Sequence, residues 1–325
     1  MSAKLLQKIP IINLKTDQIA NEPGKFSMSY GFDNSELIKS ISQVGIINKP
    51  YIFWNCDETV EVVTGYRRIL ALKNLNVKEV ECFDLTDSGM SPQDLLEFAL
   101  YDNLSTREFN LVEKSKILNK LRLLVKEVNL INKICSLINV NLKDYNLIMK
   151  IEDMAESIKR SVSSGSLNIK TLEHLVRFNI DDQLICNRWI NNLKLNYNQQ
   201  IQFIDYISDI SRIESKAIQK LMNDEYFQNL LSDEKKNIPQ KAKELIDNLR
   251  ERRNPDYYKY QHIFEKKVRK LQLPKNIKIK HPMYFESEFY QLEIDFKNGT
   301  ELKKDLEELV DRSGLASICD PWLNE

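Results

Sequence analysis

The stretch Val62-Val63-Thr64-Gly65-Tyr66-Arg67-Arg68 leaves a chain few ways to fold around it. Val62, Val63 and Thr64 are β-branched and read as the end of a buried strand that stops at Gly65. Beyond the glycine, Ile69-Leu70-Ala71-Leu72-Lys73 carries apolar residues at helical spacing, so a helix opens with Tyr66, Arg67 and Arg68. A strand that passes through glycine into a helix headed by two arginines is a seat for phosphate. The first-turn N–H groups have no intrahelical partner, the helix dipole is positive there, and guanidinium forks match oxyanions. The same residues also describe a surface helix with a glycine entry and two solvated arginines, and short phosphate patterns recur by chance.

A chain of 325 residues predicts two or three domains. Only 8 are glycine, and long stretches of Leu, Ile, Lys, Glu and Asn favour a mostly helical protein. Formal net charge is zero, so the molecule as a whole has no electrostatic claim on nucleic acid, yet the charge is unevenly spread. From Lys241 to Lys280 there are 13 Lys and Arg against 5 Asp and Glu; from His281 to Glu325 there are 4 against 11. That pattern suits a polyanion contact, self-association, or salt-bridged helices. Five cysteines (Cys56, Cys82, Cys135, Cys186 and Cys319) are far apart and never spaced as CxxC, which argues against a disulfide framework or a zinc site. No apolar run is long enough to span a membrane and the N-terminus has no signal-like apolar region, so a cytoplasmic protein is expected.

In chain order, Ile9 to Leu14 is a strand that Pro10 confines to an edge or a strand start, and Asn21 to Phe32 is a loop. Asn34 or Ser35 caps a helix ending at Gly45. Tyr51 to Trp54 and Thr59 to Thr64 form a hairpin, and Val77 to Leu85 adds a strand in which Cys82 is core. Ser91 caps a helix with Pro92 in its first turn, ending near Asp102-Asn103. This is a small unit of mixed α/β structure.

Three segments carry a family resemblance: Leu37 to Ile41 leading into Gly45-Ile46, Thr64-Gly65-Tyr66-Arg67-Arg68-Ile69-Leu70-Ala71, and Asp102-Asn103-Leu104-Ser105-Thr106-Arg107. In order and spacing they resemble the boxes of ParB-type partition proteins, whose second box usually reads G-E-R-R-x-R-A and third E-N-x-x-R. The resemblance implies a sulfiredoxin-like N-terminal domain that binds CTP with Mg2+. By it, Gly45, Ile46, Thr64, Gly65, Arg67, Arg68, Asn103 and Arg107 contact nucleotide, and Asp102 and Asn103 hold the metal. This chain departs from the pattern in four places. Tyr66 stands where the family has a Glu associated with hydrolysis, and Asp102 replaces the Glu of the third box. The third arginine of the second box is missing, and the proline of the first box is delayed to Pro50. Nucleotide binding is therefore better supported than turnover, and a CTPase activity is left open.

Glu108 to Val128 reads as a helix with Leu111, Val112, Ile117, Leu118, Leu121, Leu124 and Val125 apolar. Ile134 to Ile138, Asn139-Val140-Asn141 and Leu142 to Ile151 then have the layout of a helix-turn-helix. Cys135 is the small residue at the crossing, Asn139 tolerates a left-handed turn, and Asn141 caps the second helix. That helix would enter a DNA major groove, with Asn146 at a base edge and Lys143 and Lys150 at phosphates. Plain helical packing gives the same layout. Gln183 to Arg253 reads as helical throughout, with Trp189 and Phe203 in the core. Arg250, Arg252 and Arg253 form either a phosphate-tracking patch or a solvated helix end.

After Pro255, a helix to Leu273, strands at Ile277 to Lys280 and Tyr290 to Phe296, and a helix from Glu301 to Val310 make a small module. It loosely resembles the ParB C-terminal dimerisation module, and a two-stranded sheet with open edges favours pairing with a second copy. Packing on its own helical domain is the alternative. Trp322 sits on an acidic tail.

The expected fold class is α+β: a ParB/sulfiredoxin-like domain (residues 1–108), a helix-turn-helix region (109–180), a helical domain (181–254) and a C-terminal α/β module (255–325). The expected protein is a nucleotide-switched DNA-binding homodimer with a ParA-type ATPase as partner and no membrane. Two rivals remain: an adaptor that binds DNA without nucleotide, which Tyr66 favours, and a phosphotransferase or nuclease of the wider superfamily. The second lacks a nearby His or Cys to act as base or nucleophile.

Overall fold

The computed structural model describes residues 9–124, 128–287 and 289–318; Val125, Cys319 and Trp322 lie outside them. The fold is α+β. It divides into two compact units, Met1–Tyr197 and Asn198–Glu325, a boundary inside the segment 181–254.

Unit 1 begins with β1 (Ile11–Lys15), α1 (Ser35–Val44), β2 (Tyr51–Trp54), β3 (Val60–Thr64), α2 (Tyr66–Asn74), β4 (Glu79–Asp84) and α3 (Pro92–Leu104). The strands form one sheet in the order β1-β4-β2-β3. β1 runs antiparallel to β4 with Ile11 opposite Phe83, β2 runs parallel to β4, and β2 and β3 are the expected hairpin. β1 is an edge, and Pro10 precedes it, where a missing N–H costs the ladder nothing. Ile52, Ile69, Ala71 and Cys82 are fully buried in the core between sheet and helices. Burial pushes the Cys82 thiol up to about 12, so this cysteine is packing and not a nucleophile.

Ser91 caps α3 as expected: its Oγ accepts from Asp94 N (3.2 Å), and Asp94 Oδ2 accepts from Ser91 N (3.0 Å). α3 runs on to Leu104. Asn34 holds the cap position of α1 but gives α1 no side-chain cap; its amide is turned to Arg67 instead.

The rest of unit 1 is helical: α4 (Leu111–Leu124), α5 (Val128–Leu137), α6 (Tyr145–Met149), α7 (Glu156–Ser163), α8 (Ile169–Leu175) and α9 (Ile180–Asn192). Asn139 takes the left-handed turn (φ +52°), and Cys135, Ile138, Val140, Ile148 and Met149 are buried. The continuous helix expected over Leu142 to Ile151 is instead three short pieces: a 3-10 turn at Leu142–Asp144, α6, and a 3-10 turn at Lys150–Asp153. Asn141 makes no side-chain cap. The second break, after Met149, sits against α4, whose Asn119 Nδ2 donates to the Met149 carbonyl (3.0 Å) and whose Ser115 Oγ accepts from Glu152 N (3.1 Å). Backbone groups that would extend the helical ladder are taken by side chains.

Unit 2 contains all but the first residue of α10 (Tyr197–Ile213), then α11 (Ile218–Met222), α12 (Glu225–Ser232), α13 (Ile238–Arg253), α14 (Pro255–Lys270), β5 (Ile277–Lys280), β6 (Gln291–Ile294) and α15 (Gly299–Val310). The stretch from Gln183 to Arg253 is thus interrupted, with left-handed residues at Lys194 (φ +48°) and Ser215 (φ +52°) after α9 and α10. Trp189 and Phe203 are fully buried, as expected. The arginines of α13 are bound by acids: Arg253 Nη2 to Asp209 (2.6 Å), Arg250 Nη1 to Asp247 (3.3 Å), and Arg252 to both Glu214 and Asp224. β5 and β6 pair antiparallel, Ile277 opposite Ile294. Among the described residues no helix is long and apolar enough to cross a membrane.

The Arg252 bond holds the Glu214 carboxyl at about 2, below the ordinary 4.5. A lowered carboxylate contributes stability that is complete above 4.5 and fades as pH falls toward 2. Glu214→Gln is expected to cost about 1–2 kcal/mol at neutral pH. In urea titrations the gap from wild type should close between about pH 4.5 and 2; a gap independent of pH would assign the loss to packing.

Candidate functional site

The site forms where β3 gives way to α2. Gly65 has φ +88° and ψ 13°, and a Cβ there would stand 3.0 Å from Pro50 Cα and 3.2 Å from Arg68 Cζ. Glycine makes that turn without strain or clash. Arg67, in the first turn of α2, donates from Nε to Asn34 Oδ1 (3.2 Å) and from Nη2 to the Asp33 carbonyl (2.9 Å), with its guanidinium over the Phe32 ring. Arg68 donates from Nη1 to the carbonyls of Asn48 and Lys49, and its Nη2 stands 3.8 Å from Asp102 Oδ2. Burial lowers the pKa of both guanidiniums, and for Arg67 the nearby Arg107 adds to it. Such cations gain from an anion that replaces lost water.

The facing corner is the end of α3. Asn103 Nδ2 donates to the Ala99 carbonyl (2.8 Å), and Asn103 Oδ1 accepts from Arg107 Nε (3.3 Å). Arg107 Nη1 lies 2.7 Å from each carboxylate oxygen of buried Glu113, and Nη2 donates to Ser29 Oγ (3.2 Å). The loop from Phe26 to Ser29 supplies the remaining wall, with Phe26, Ser27 and Met28 buried.

These walls enclose a cavity of about 350 Å³, within the range of small-molecule sites. Thr64, Gly65, Arg67, Arg68, Asp102, Asn103 and Arg107 all line it. Two lining hydroxyls, Ser27 Oγ and Thr64 Oγ1, are buried and among the described residues have no hydrogen-bond partner. Buried polar atoms are usually satisfied, so a cavity edged by two that are not suits a polar ligand. Among the described residues, Asp102 is the one carboxylate lining the cavity and no cluster of three or more His, Cys, Asp or Glu is arranged for a metal. One carboxylate is enough for a magnesium ion that arrives on phosphate oxygens with its waters.

Gly45 and Ile46 line a different hollow, with Ile41, Leu72 and Leu75. The chain leaves α1 through Gly45 (φ +74°), and it is Asn48, three residues on, that reaches the cavity. Sequence reasoning missed Ser27, Ser29, Asn48, Thr106 and Glu113. A usable signal was the alternation Phe26-Ser27-Met28-Ser29, apolar and small polar in turn, inside a segment read only as a loop.

Lys143, Asn146 and Lys150 are exposed along the 3-10, α6, 3-10 stretch. Among the described residues none of the three side chains makes a hydrogen bond or ion pair.

No family model matches the chain, and no curated protein matches it. Among solved structures it is similar to the C-terminally truncated chromosome-partitioning protein ParB from Caulobacter crescentus complexed with CTP-gamma-S. That match has 14% identity and a TM-score of 0.26, and covers 56% of this chain and 98% of that one. The same protein complexed to the centromeric parS site gives 14% identity over 58% of this chain and 96% of that one, TM-score 0.34. A Pnob8-like ParB-N domain gives 14% identity over 74% and 98%, TM-score 0.33. At such scores, functional roles rest on this chain's own residues.

Glu113→Gln keeps the shape of the side chain and leaves Arg107 without its counter-ion. The expected loss is about 3 kcal/mol, as for breaking a buried pair from one side. Chemical denaturation measures it, and a loss below about 0.5 kcal/mol would mean Arg107 finds another partner.

Proposed function

We propose that unit 1 binds a nucleoside triphosphate in this cavity and that its occupancy sets the placement of the α4–α6 helices on DNA. The observation that carries the reading is convergence: two arginines from the start of α2 and an acid, an amide and an arginine from the end of α3 line one cavity. In the proposed complex Arg67, Arg68 and Arg107 neutralise phosphate. Asp102 supplies the carboxylate for Mg2+, with Asn103 beside it sharing its oxygen with Arg107. When bound, the ion would spread phosphate charge and fix the tail's orientation. CTP is the nucleotide named by the resemblance of the three boxes to ParB-type proteins.

Lys143 and Lys150 meet DNA phosphates and Asn146 a base edge, in a ParB-like DNA-binding protein of the cytoplasm that serves partition or regulation with a ParA-type ATPase. A second copy of the chain pairs through unit 2, whose Phe289, Leu292, Phe296 and Val310 are exposed. Turnover is not part of the proposal. The Tyr66 hydroxyl donates to the Asn21 carbonyl (2.6 Å) and burial raises its pKa, so it cannot serve as a base near neutral pH.

One observation favours the adaptor without nucleotide: all three guanidiniums already have protein partners. Calorimetry with the four ribonucleoside triphosphates and Mg2+ separates the readings. Binding by the wild type and its loss in Arg68→Ala, with the far-UV spectrum unchanged, supports the switch; no binding by the wild type leaves the adaptor. For DNA, replacing Lys143 and Lys150 with Ala should weaken affinity and lower the salt slope by about 2. An unchanged slope would remove this stretch from the interface.

A further inference from the structure

The cavity loop is not held by its own sequence. Ser27 N donates to the Gly24 carbonyl (3.0 Å), closing a turn whose carbonyls point at one side chain from α4. Lys120 Nζ donates to the carbonyls of Gly24 (3.4 Å), Lys25 (2.8 Å) and Ser27 (2.5 Å). No carboxylate pairs with it among the described residues, so three carbonyls alone satisfy this ammonium, which has three protons to give. The other end of the loop is tied to the start of the same helix. Glu113 Oε1 accepts from Tyr30 N (3.0 Å), and Asn110 Nδ2 donates to the Tyr30 carbonyl (3.0 Å). Glu113 and Lys120 are seven residues apart, two helical turns, and so lie on one face of α4. Ser115 and Asn119, one turn apart, carry the contacts to Met149 and Glu152 described above.

Resting on the reading of the cavity as a nucleotide site, we propose that Lys120 is its positioning residue. The ammonium fastens the Gly24–Ser27 turn so that the unpaired Ser27 hydroxyl is presented to the ligand, and it makes completion of the cavity depend on α4. Ser27 is then a ligand contact, and Lys120 acts only through it. α4 bears the cavity loop on one face and the Met149 carbonyl on another, so anything that moves this helix alters both sites.

The charge of the fastening can be titrated. Burial, helped by Lys116, brings Lys120 down to about 8, while Glu152 and Glu61 pull the other way. Raising the pH through this value removes the charge and leaves two N–H donors for three carbonyls.

The test uses the full chain, Lys120→Met and the charge-keeping Lys120→Arg. Two readouts are taken: hydrogen exchange of residues 24–30 without ligand, and calorimetric titration with CTP and MgCl2. The proposal expects faster exchange of the loop in Lys120→Met and at least tenfold weaker CTP binding, with partial recovery in Lys120→Arg. Wild-type affinity should also fall between about pH 7 and 9, and Lys120→Met should be flat over that range. Unchanged loop exchange in Lys120→Met overturns the proposal, as does CTP affinity equal to wild type. If the wild type binds no CTP, the nucleotide reading fails by itself, and loop exchange alone decides whether Lys120 is the fastening. If Lys120→Met does not fold, Lys120→Arg and the wild-type pH profile carry the test, and a flat wild-type profile overturns it.

Discussion

The carboxylate of Glu113 is the constraint on which the architecture of unit 1 depends. It is buried and accepts from Arg107, from Tyr30 N and from Asn110 N. Those donors belong to the α3–α4 connection and to the loop ahead of α1, so one charge ties that connection to a segment more than eighty residues upstream. A charge in such surroundings is tolerable only when its lone pairs are taken, and these are. Without it Arg107 would have no reason to face Ser29, and the cavity would lack a side. The carboxylate therefore has a structural role, although it stands next to the candidate chemistry.

Local chemistry made part of this legible from residues alone. Val62-Val63-Thr64 could only be a buried strand end, Gly65 the turn, and Ser91-Pro92 a helix start, because each depends on groups within a few residues. The arginine pair at one helix start was legible for the same reason, whereas the acid–amide pair at the other helix end drew notice through its resemblance to a family box. That they meet follows from the parallel pairing of β2 with β4, which brings Tyr51 beside Phe83 and the two ring faces into a stack at 4.7 Å. That long-range pairing was not read in advance, and it is what brings the arginine helix start and the end of α3 to one cavity.

What stayed hidden depends on partners distant in sequence. Asn34 looked like a cap because asparagine usually caps, yet Arg67 offered its side chain a charged donor, and Asp33 took Ser35 N in its place (2.9 Å). The helix expected after Asn141 had the right apolar spacing, and Ile148, Met149 and Ile151 are buried as that spacing requires. Its second interruption, after Met149, meets Ser115 and Asn119, about thirty residues upstream, and no window over residues 142–151 contains them. The loop wall was missed for a related reason. Its buried Phe26 and Met28 have too little company in sequence to signal a core, and its shape is imposed by Lys120.

The arginines of the cavity are held in place by the protein itself. Each guanidinium is anchored by a few of its N–H groups: Arg67 through Nε and Nη2, and Arg107 through Glu113, Ser29 and Asn103. Anchoring of this kind removes most of the side-chain entropy that a ligand would otherwise have to overcome. It also sets a limit, because a cation already paired with a carboxylate gains less from a phosphate than a bare one. Arg68 carries the looser arrangement, with carbonyls on one nitrogen and Asp102 at 3.8 Å from the other. It is thus the guanidinium best placed to exchange its protein partner for an anion, while Arg67 and Arg107 hold the frame.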